Sequence, residues 1–168
     1  MDRRRLIRST ALTALTAMAW CLTAGVARAQ ASASLAVSVE VTPNCTVAAE
    51  PLAFGAMTAA DAPSRTATAS IEVACGPDVA FTVQLDDGQN AAGQTRRAFD
   101  PATGQYVGYE IYADPAHTRR WGSFGAQSAS GVTAATGTQR LTAYGLIGSD
   151  TQVAAGAYGD LVTVTTNF

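Results

Sequence analysis

Strict alternation of apolar and polar positions is the main pattern of the chain after about residue 30. From Tyr158 to the last residue, Tyr158, Asp160, Val162, Val164, Thr166 and Phe168 share one face, and Leu161, Thr163, Thr165 and Asn167 share the other. β-branched residues dominate and nothing breaks the period of two after Gly159, which predicts a β-strand. This strand runs up to the end of the sequence, so its second neighbour is expected to come from elsewhere. A second alternating run, Ala33 to Thr42, sets Ala33, Leu35, Val37, Val39 and Val41 against Ser34, Ala36, Ser38, Glu40 and Thr42. Pro43-Asn44 ends it, because proline lacks the N–H a ladder needs and asparagine favours turns. The run suits either the first strand of the domain's own sheet or a detached strand that pairs elsewhere.

Between these two runs the same period recurs. Cys45 opens a short strand, and Leu52, Ala53 and Phe54 form an apolar stretch closed by Gly55. Ala67, Ala69, Ile71, Val73 and Cys75 share a face. Val79, Phe81, Val83 and Leu85 share another, after a Gly76-Pro77-Asp78 turn. Asp86 to Gly93 reads as a turn or loop. Strands are expected again over Tyr106–Ala113 and Gln139–Ile147, with room for a short one at Arg119–Gly122 and a flexible loop over Gly122–Gly137. No stretch after residue 29 holds a helical period. Six or more short strands separated by turn residues predict an all-β chain folded as an antiparallel β-sandwich.

The first 29 residues are set apart by composition. Arg3, Arg4, Arg5 and Arg8 head an apolar run from Ala11 to Ala27, and Ala27-Arg28-Ala29 supplies a small-x-small cleavage pattern. A secretory signal peptide is expected over residues 1–29. A retained membrane helix is the rival, but the run is short and diluted with threonine for a span of roughly 20 apolar residues. The remainder holds six basic and twelve acidic residues, a net charge of −6, and no lysine. Such a surface disfavours nucleic acid and anionic lipid, which both require a basic face.

Export also changes how the cysteines read. Cys21 falls within the expected signal, leaving Cys45 and Cys75. Behind an export signal a disulfide is the default, set against two free thiols or a metal pair. Closing a loop of about 30 residues stabilises a fold by roughly 3–4 kcal/mol in the chain-entropy model.

No catalytic constellation assembles. His117 is the sole histidine and sits in a loop composition; no Gly-x-Ser-x-Gly elbow occurs, and a Ser-x-x-Lys pair is impossible without lysine. The expectation is therefore no catalytic residue, no metal site and no cofactor. Asp86-Asp87-Gly88-Gln89-Asn90 superficially suggests a calcium loop but lacks the spaced ligands and distant glutamate, so a hairpin turn is expected. The doublets Arg96-Arg97 and Arg119-Arg120 read as solvated. Tyr106, Tyr109 and Tyr112 offer either a sugar-stacking surface or ordinary cross-strand packing.

Taken together, Cys45-Thr46-Val47, Leu52-Ala53-Phe54-Gly55, Ile71-Glu72-Val73-Ala74-Cys75, Phe81 through Gly88, Tyr109 through Asp114, Arg120-Trp121-Gly122, Tyr144-Gly145 and Ala155 through Val164 resemble the spore coat protein U family. Subunits of archaic (Csu-type) chaperone–usher pili belong to that family. Glu110 departs from the neutral polar residue usual there. The resemblance implies an incomplete immunoglobulin-like domain over residues 43–168, completed by donor-strand complementation, behind a donor strand over residues 30–42. It implies Leu35, Val37, Val39 and Val41 as the donor face, and Tyr158, Val162, Val164 and Phe168 on the accepting strand. The Phe168 carboxylate would anchor a chaperone. The partners implied are a periplasmic PapD-like chaperone, an outer-membrane usher and other copies of the chain or related pilins, with export through the periplasm to a surface pilus or coat that supports adhesion and biofilm. A single-domain adhesin and a self-folding coat protein are the other readings.

Overall fold

The computed structural model describes residues 34–58, 65–148 and 154–168. The expected signal peptide, Ala33 and parts of the 59–65 and 148–156 loops lie outside them. The chain divides into a unit ending at Val39 and a unit spanning Glu40–Phe168. In the first, Ser34–Val39 belongs to no strand. A strand exists only through the partner it bonds to, so alternation alone does not place these residues in a ladder.

The described residues of the second unit form eight strands: β1 (Thr46–Ala49), β2 (Thr66–Ala74), β3 (Ala80–Leu85), β4 (Arg96–Asp100), β5 (Gln105–Tyr112), β6 (Ala129–Val132), β7 (Thr138–Ile147) and β8 (Val164–Asn167). They form a five-stranded sheet ordered β1-β2-β7-β5-β4 and a three-stranded sheet ordered β6-β3-β8. All pairings are antiparallel. The inward faces meet in a core of Ile71, Val73, Phe81, Val83, Leu85, Val107, Ile111, Trp121 and Ile147. Alternation along β2, β3 and β5 thus aims one face inward as expected. Cys45 and Cys75 are disulfide-bonded with Cα atoms 4.3 Å apart, directly beyond the Thr46–Ala74 pair.

Two strands were not legible in the sequence. β4 reads Arg-Arg-Ala-Phe-Asp, and its inward positions include Arg96 and Asp100, both buried. β6 lies within the stretch expected to be a loop. Its Gly131 is required by packing, because a Cβ there would meet the Phe81 ring at 2.7 Å.

The arginines expected to be solvated instead tie the sheets together. Arg96, 0% exposed, donates to the carbonyls of Leu85 (3.2 Å), Asp86 (3.0 Å) and Trp121 (2.9 Å), and pairs with Glu110. Arg120 reaches Glu110 Oε2 at 2.6 Å and Asp87 Oδ1 at 2.7 Å. β4 leaves β5 at the Arg96–Tyr109 pair, and residues 119–121 take up β5 again from Ile111 onward. Glu110 fills the gap, accepting the Ile111 N–H at 2.9 Å. Only Arg97 and Arg119 of the two doublets fit the solvated reading better, and Arg97 stacks over Tyr106 at 4.2 Å.

Arg96→Ala leaves the carbonyls of Leu85, Asp86 and Trp121 without their cationic donor and Glu110 with Arg120 alone. Loss of one partner from a buried pair costs about 3–5 kcal/mol, and urea unfolding followed by the fluorescence of the buried Trp121 is expected to show a destabilisation of that size.

Candidate functional site: a groove beside the terminal strand

The edge of β8 is the point at which this sandwich is open. Thr163 accepts the Asp86 N–H at 3.1 Å, and the register continues through Gln84–Thr165 and Thr82–Asn167. Residues 163, 165 and 167 therefore turn their main-chain polar groups toward β3. By the alternation of an antiparallel ladder, Val162, Val164 and Thr166 turn theirs away from it. Among the described residues no strand pairs with that outer edge. β1 stands at the end of the other sheet in the same way: Glu50 N–H bonds Ser70, so Val47 and Ala49 face outward from the ladder with β2. The two edges lie near each other.

A cavity of about 1110 Å³ opens here, walled by residues 49–58 on one side and by residues 154–162 and Val164 on the other. Ile71, Leu85, Val107, Ile111 and Ile147 form its floor. These are core residues, so the groove leads directly into the sandwich interior. Leu52, Phe54 and Met57 pack partly against the same core. Leu52 and Phe54 approach β7 closely because position 145 is glycine; a Cβ there would meet each at 2.8 Å. The groove is largely apolar and, among the described residues, bordered by main chain that no strand pairs. That is the chemistry of a site for an extended peptide whose alternate side chains point inward.

A polar clamp holds the terminal segment in place. Asp86 Oδ1 accepts the N–H of Thr163 at 2.9 Å and that of Gly88 at 3.0 Å. Gln89 N–H bonds the Leu161 carbonyl at 3.1 Å. Asp160 accepts from Asn90 Nδ2 at 2.9 Å, from Asn90 N–H at 3.1 Å and from the Tyr109 hydroxyl at 2.7 Å. Burial and the adjacent Asp160 carboxylate push the Tyr109 hydroxyl above the usual phenol range, so it remains a donor. For Asp86, burial pushes upward, but the hydrogen bonds from Thr163 and Gly88 and the charge of Arg96 outweigh it. Its carboxyl is held below the usual range. The Asp86–Asn90 loop is thus the fastening of the last strand. Sequence reading did not find that role, although Asp160 on the same face as Val162 and Val164 signalled a buried partner.

Of the residues singled out from sequence, Tyr158, Val162 and Val164 line the groove. Phe168 follows the last paired residue and is exposed, beside Phe81, Gly131 and Val132. Leu35, Val37, Val39 and Val41 are 88%, 79%, 81% and 86% exposed. The three tyrosines do not make one surface: Tyr109 is in the core, Tyr106 stacks on Phe99 at 4.8 Å, and Tyr112 meets the His117 ring at 5.2 Å.

The model of the Spore Coat Protein U domain matches residues 31–165. The chain belongs to this family. Among solved structures, a chain in the CsuC–CsuE chaperone–tip adhesion subunit pre-assembly complex of the archaic chaperone–usher Csu pili of Acinetobacter baumannii superposes with a TM-score of 0.59 at 22% identity. The match covers 76% of this chain and 40% of that one, and it shows the shared fold. A chain from a chaperone–tip adhesin complex of CFA/I fimbriae matches with a TM-score of 0.37 and 12% identity, over 61% of this chain and 34% of that one. No curated protein gives a significant match.

Two predictions follow the clamp. Asp86 has a folded pKa below its unfolded value near 3.8, so its stabilisation is fully present above that value and is lost as pH falls through the lower folded one. In urea midpoints measured from pH 6 to pH 2, Asp86→Asn should lower stability at pH 6 and flatten the decline below about pH 4. Gly88 has φ +85°, and a Cβ there would meet Asp160 Oδ2 at 2.0 Å. Gly88→Ala should cost at least about 1–3 kcal/mol from the backbone alone, and amide exchange should rise at residues 160–163.

Proposed function

We propose that this chain is an exported structural subunit of a chaperone–usher pilus or related surface coat, polymerising by donor-strand exchange. The observation that carries the reading is the open edge of β8 above an apolar groove that reaches the core. Residues 30–42 of one copy supply the strand, and the groove of the next accepts it. The periods agree: Val162, Val164 and Thr166 offer main-chain groups at every second residue, and Leu35, Val37, Val39 and Val41 recur at the same interval. Burying four such side chains yields roughly 6–12 kcal/mol gross, before ordering and association costs.

Before assembly the open edge invites aggregation. A PapD-like chaperone in the periplasm would occupy the groove, and an outer-membrane usher would exchange it for the next subunit's donor strand. Membership of the family and the fold shared with a subunit of a chaperone–usher pilus support this sequence of events. Residues 1–29 would direct export. Adhesion and biofilm formation would be properties of the assembled fibre, and no enzymatic step enters the account.

Deletion of residues 30–42 is expected to abolish SDS-resistant, boiling-sensitive ladders of surface material while co-purification with the chaperone continues. Val164→Asp, which puts a charge into the groove, should reduce both. Ladders unchanged by the deletion would sink the proposal.

A further inference from the structure

We propose that Met57 is a modification site of the groove. A hydroperoxide converts its thioether to the sulfoxide while the groove is open, and the polar product weakens uptake of an apolar strand. The inference rests on the strand-uptake reading above and adds a way of switching the groove off. Met57 lines the groove together with Leu52, Phe54, Val162 and Val164. Its side chain packs partly against the core and remains half-buried. It is therefore part of the apolar wall and within reach of a small oxidant.

The fold holds Met57 in that position. Gly55 takes φ +71°, and Arg65 spans the bend, donating from Nε to the Phe54 carbonyl at 2.9 Å and from Nη2 to the Ala56 carbonyl at 3.1 Å. The Arg65 carbonyl accepts the Ile147 N–H at 3.0 Å, which ties the bend to the end of β7. Met57 follows directly, so the backbone that carries it is fixed at the groove wall. Methionine suits a wall that more than one strand must fit, because its unbranched chain and polarisable sulfur adapt to different neighbours.

After residue 29 the other sulfur atoms of the chain are closed to this chemistry. Met1, Met18 and Cys21 lie within the expected signal peptide, and Cys45 and Cys75 are bonded to each other. Met57 is thus the single thioether of the mature chain. With hydrogen peroxide, a lone pair on its Sδ attacks one peroxide oxygen, and the S–O bond forms as the O–O bond breaks. The sulfur is oxidised by two electrons and the peroxide is reduced. The departing hydroxide takes the proton of the transferred oxygen and leaves as water. The resulting sulfoxide is polar and needs a hydrogen bond that an apolar side chain seated over it does not supply. Methionine sulfoxide reductases reverse the step, so the modification can act as a switch. A strand already in the groove covers the wall, and filled grooves escape.

The test uses the mature chain, hydrogen peroxide and a fluorescent peptide spanning residues 33–42. Treatment should add one oxygen atom, located at Met57 by mass spectrometry, and raise the Kd of the peptide at least about tenfold. A methionine sulfoxide reductase should restore the original Kd. Peptide present at about ten times its Kd should slow the oxidation about tenfold, because only open grooves react. Met57→Leu, which keeps size and apolarity, should bind the peptide normally and be indifferent to peroxide. Met57→Gln, which puts an amide in the same place, should raise the Kd without peroxide. Met57 sulfoxide with an unchanged Kd would overturn the inference while leaving strand uptake intact. So would a Met57 that stays unoxidised under conditions that fully oxidise free methionine. A loss of affinity that Met57→Leu shares would put the damage elsewhere and overturn it too. Peptide that binds neither the treated nor the untreated chain would instead bring down the strand-uptake reading, and the inference with it.

Discussion

Main-chain polar groups beside an apolar interior must be bonded, and the rest of this structure is arranged around one row of them that is not. Along β8 and the two residues before it, the groups of residues 163, 165 and 167 are satisfied by Asp86 and β3, while those of Val162, Val164 and Thr166 face an unpaired edge among the described residues. Below that edge lie the core residues Ile71, Leu85 and Ile111, and the groove is bordered by Leu52, Phe54, Met57, Val162 and Val164, which are only partly buried. The penalties for unbonded main chain and for wet apolar surface fall on the same place. A single extended segment of alternating character relieves both at once.

An open edge is useful only if the strand that bears it keeps its position. Here that task falls to polar side chains around the Asp86–Asn90 loop. Asp86 and Gln89 hold residues 161–163 from the β3 side, and Asn90 and Tyr109 hold Asp160. Behind the loop, Arg96 binds the carbonyls of Leu85 and Asp86 and is neutralised by Glu110, which also completes the β5 ladder where β4 leaves it. The network runs from the middle of the five-stranded sheet to the terminal segment. It supplies on one side of the terminal strand the bonding that is withheld on the other.

The strands with apolar inner faces were legible in the sequence: β2, β3, β5 and β7 show a period of two, and Cys45 and Cys75 sit where the first pair of strands begins. β4 was hidden because its inward positions carry Arg96 and Asp100, whose burial depends on partners distant in sequence. β6 was hidden because Ala-Ser-Gly-Val has weak strand character, and its glycine is there to admit the Phe81 ring. The groove followed a different logic. Its walls could be named from alternation, Val162 and Val164 among them, but an empty edge is a property of sheet order, which periodicity does not contain. The clamp was missed for a related reason: Asp86-Asp87-Gly88 reads as a turn, and it is one, but its partners lie 70 or more residues away.

Hydrogen exchange at single residues of the terminal strand tests the central claim most directly. A synthetic peptide spanning residues 33–42 is added to the mature chain, and amide exchange is followed from residue 161 to residue 168. Pairing at the open edge predicts that the amides of Val162, Val164 and Thr166 become protected while those of Thr163, Thr165 and Asn167, already bonded toward the Asp86 loop and β3, change little. Exchange at Val162, Val164 and Thr166 that is unaltered by the peptide would contradict the account.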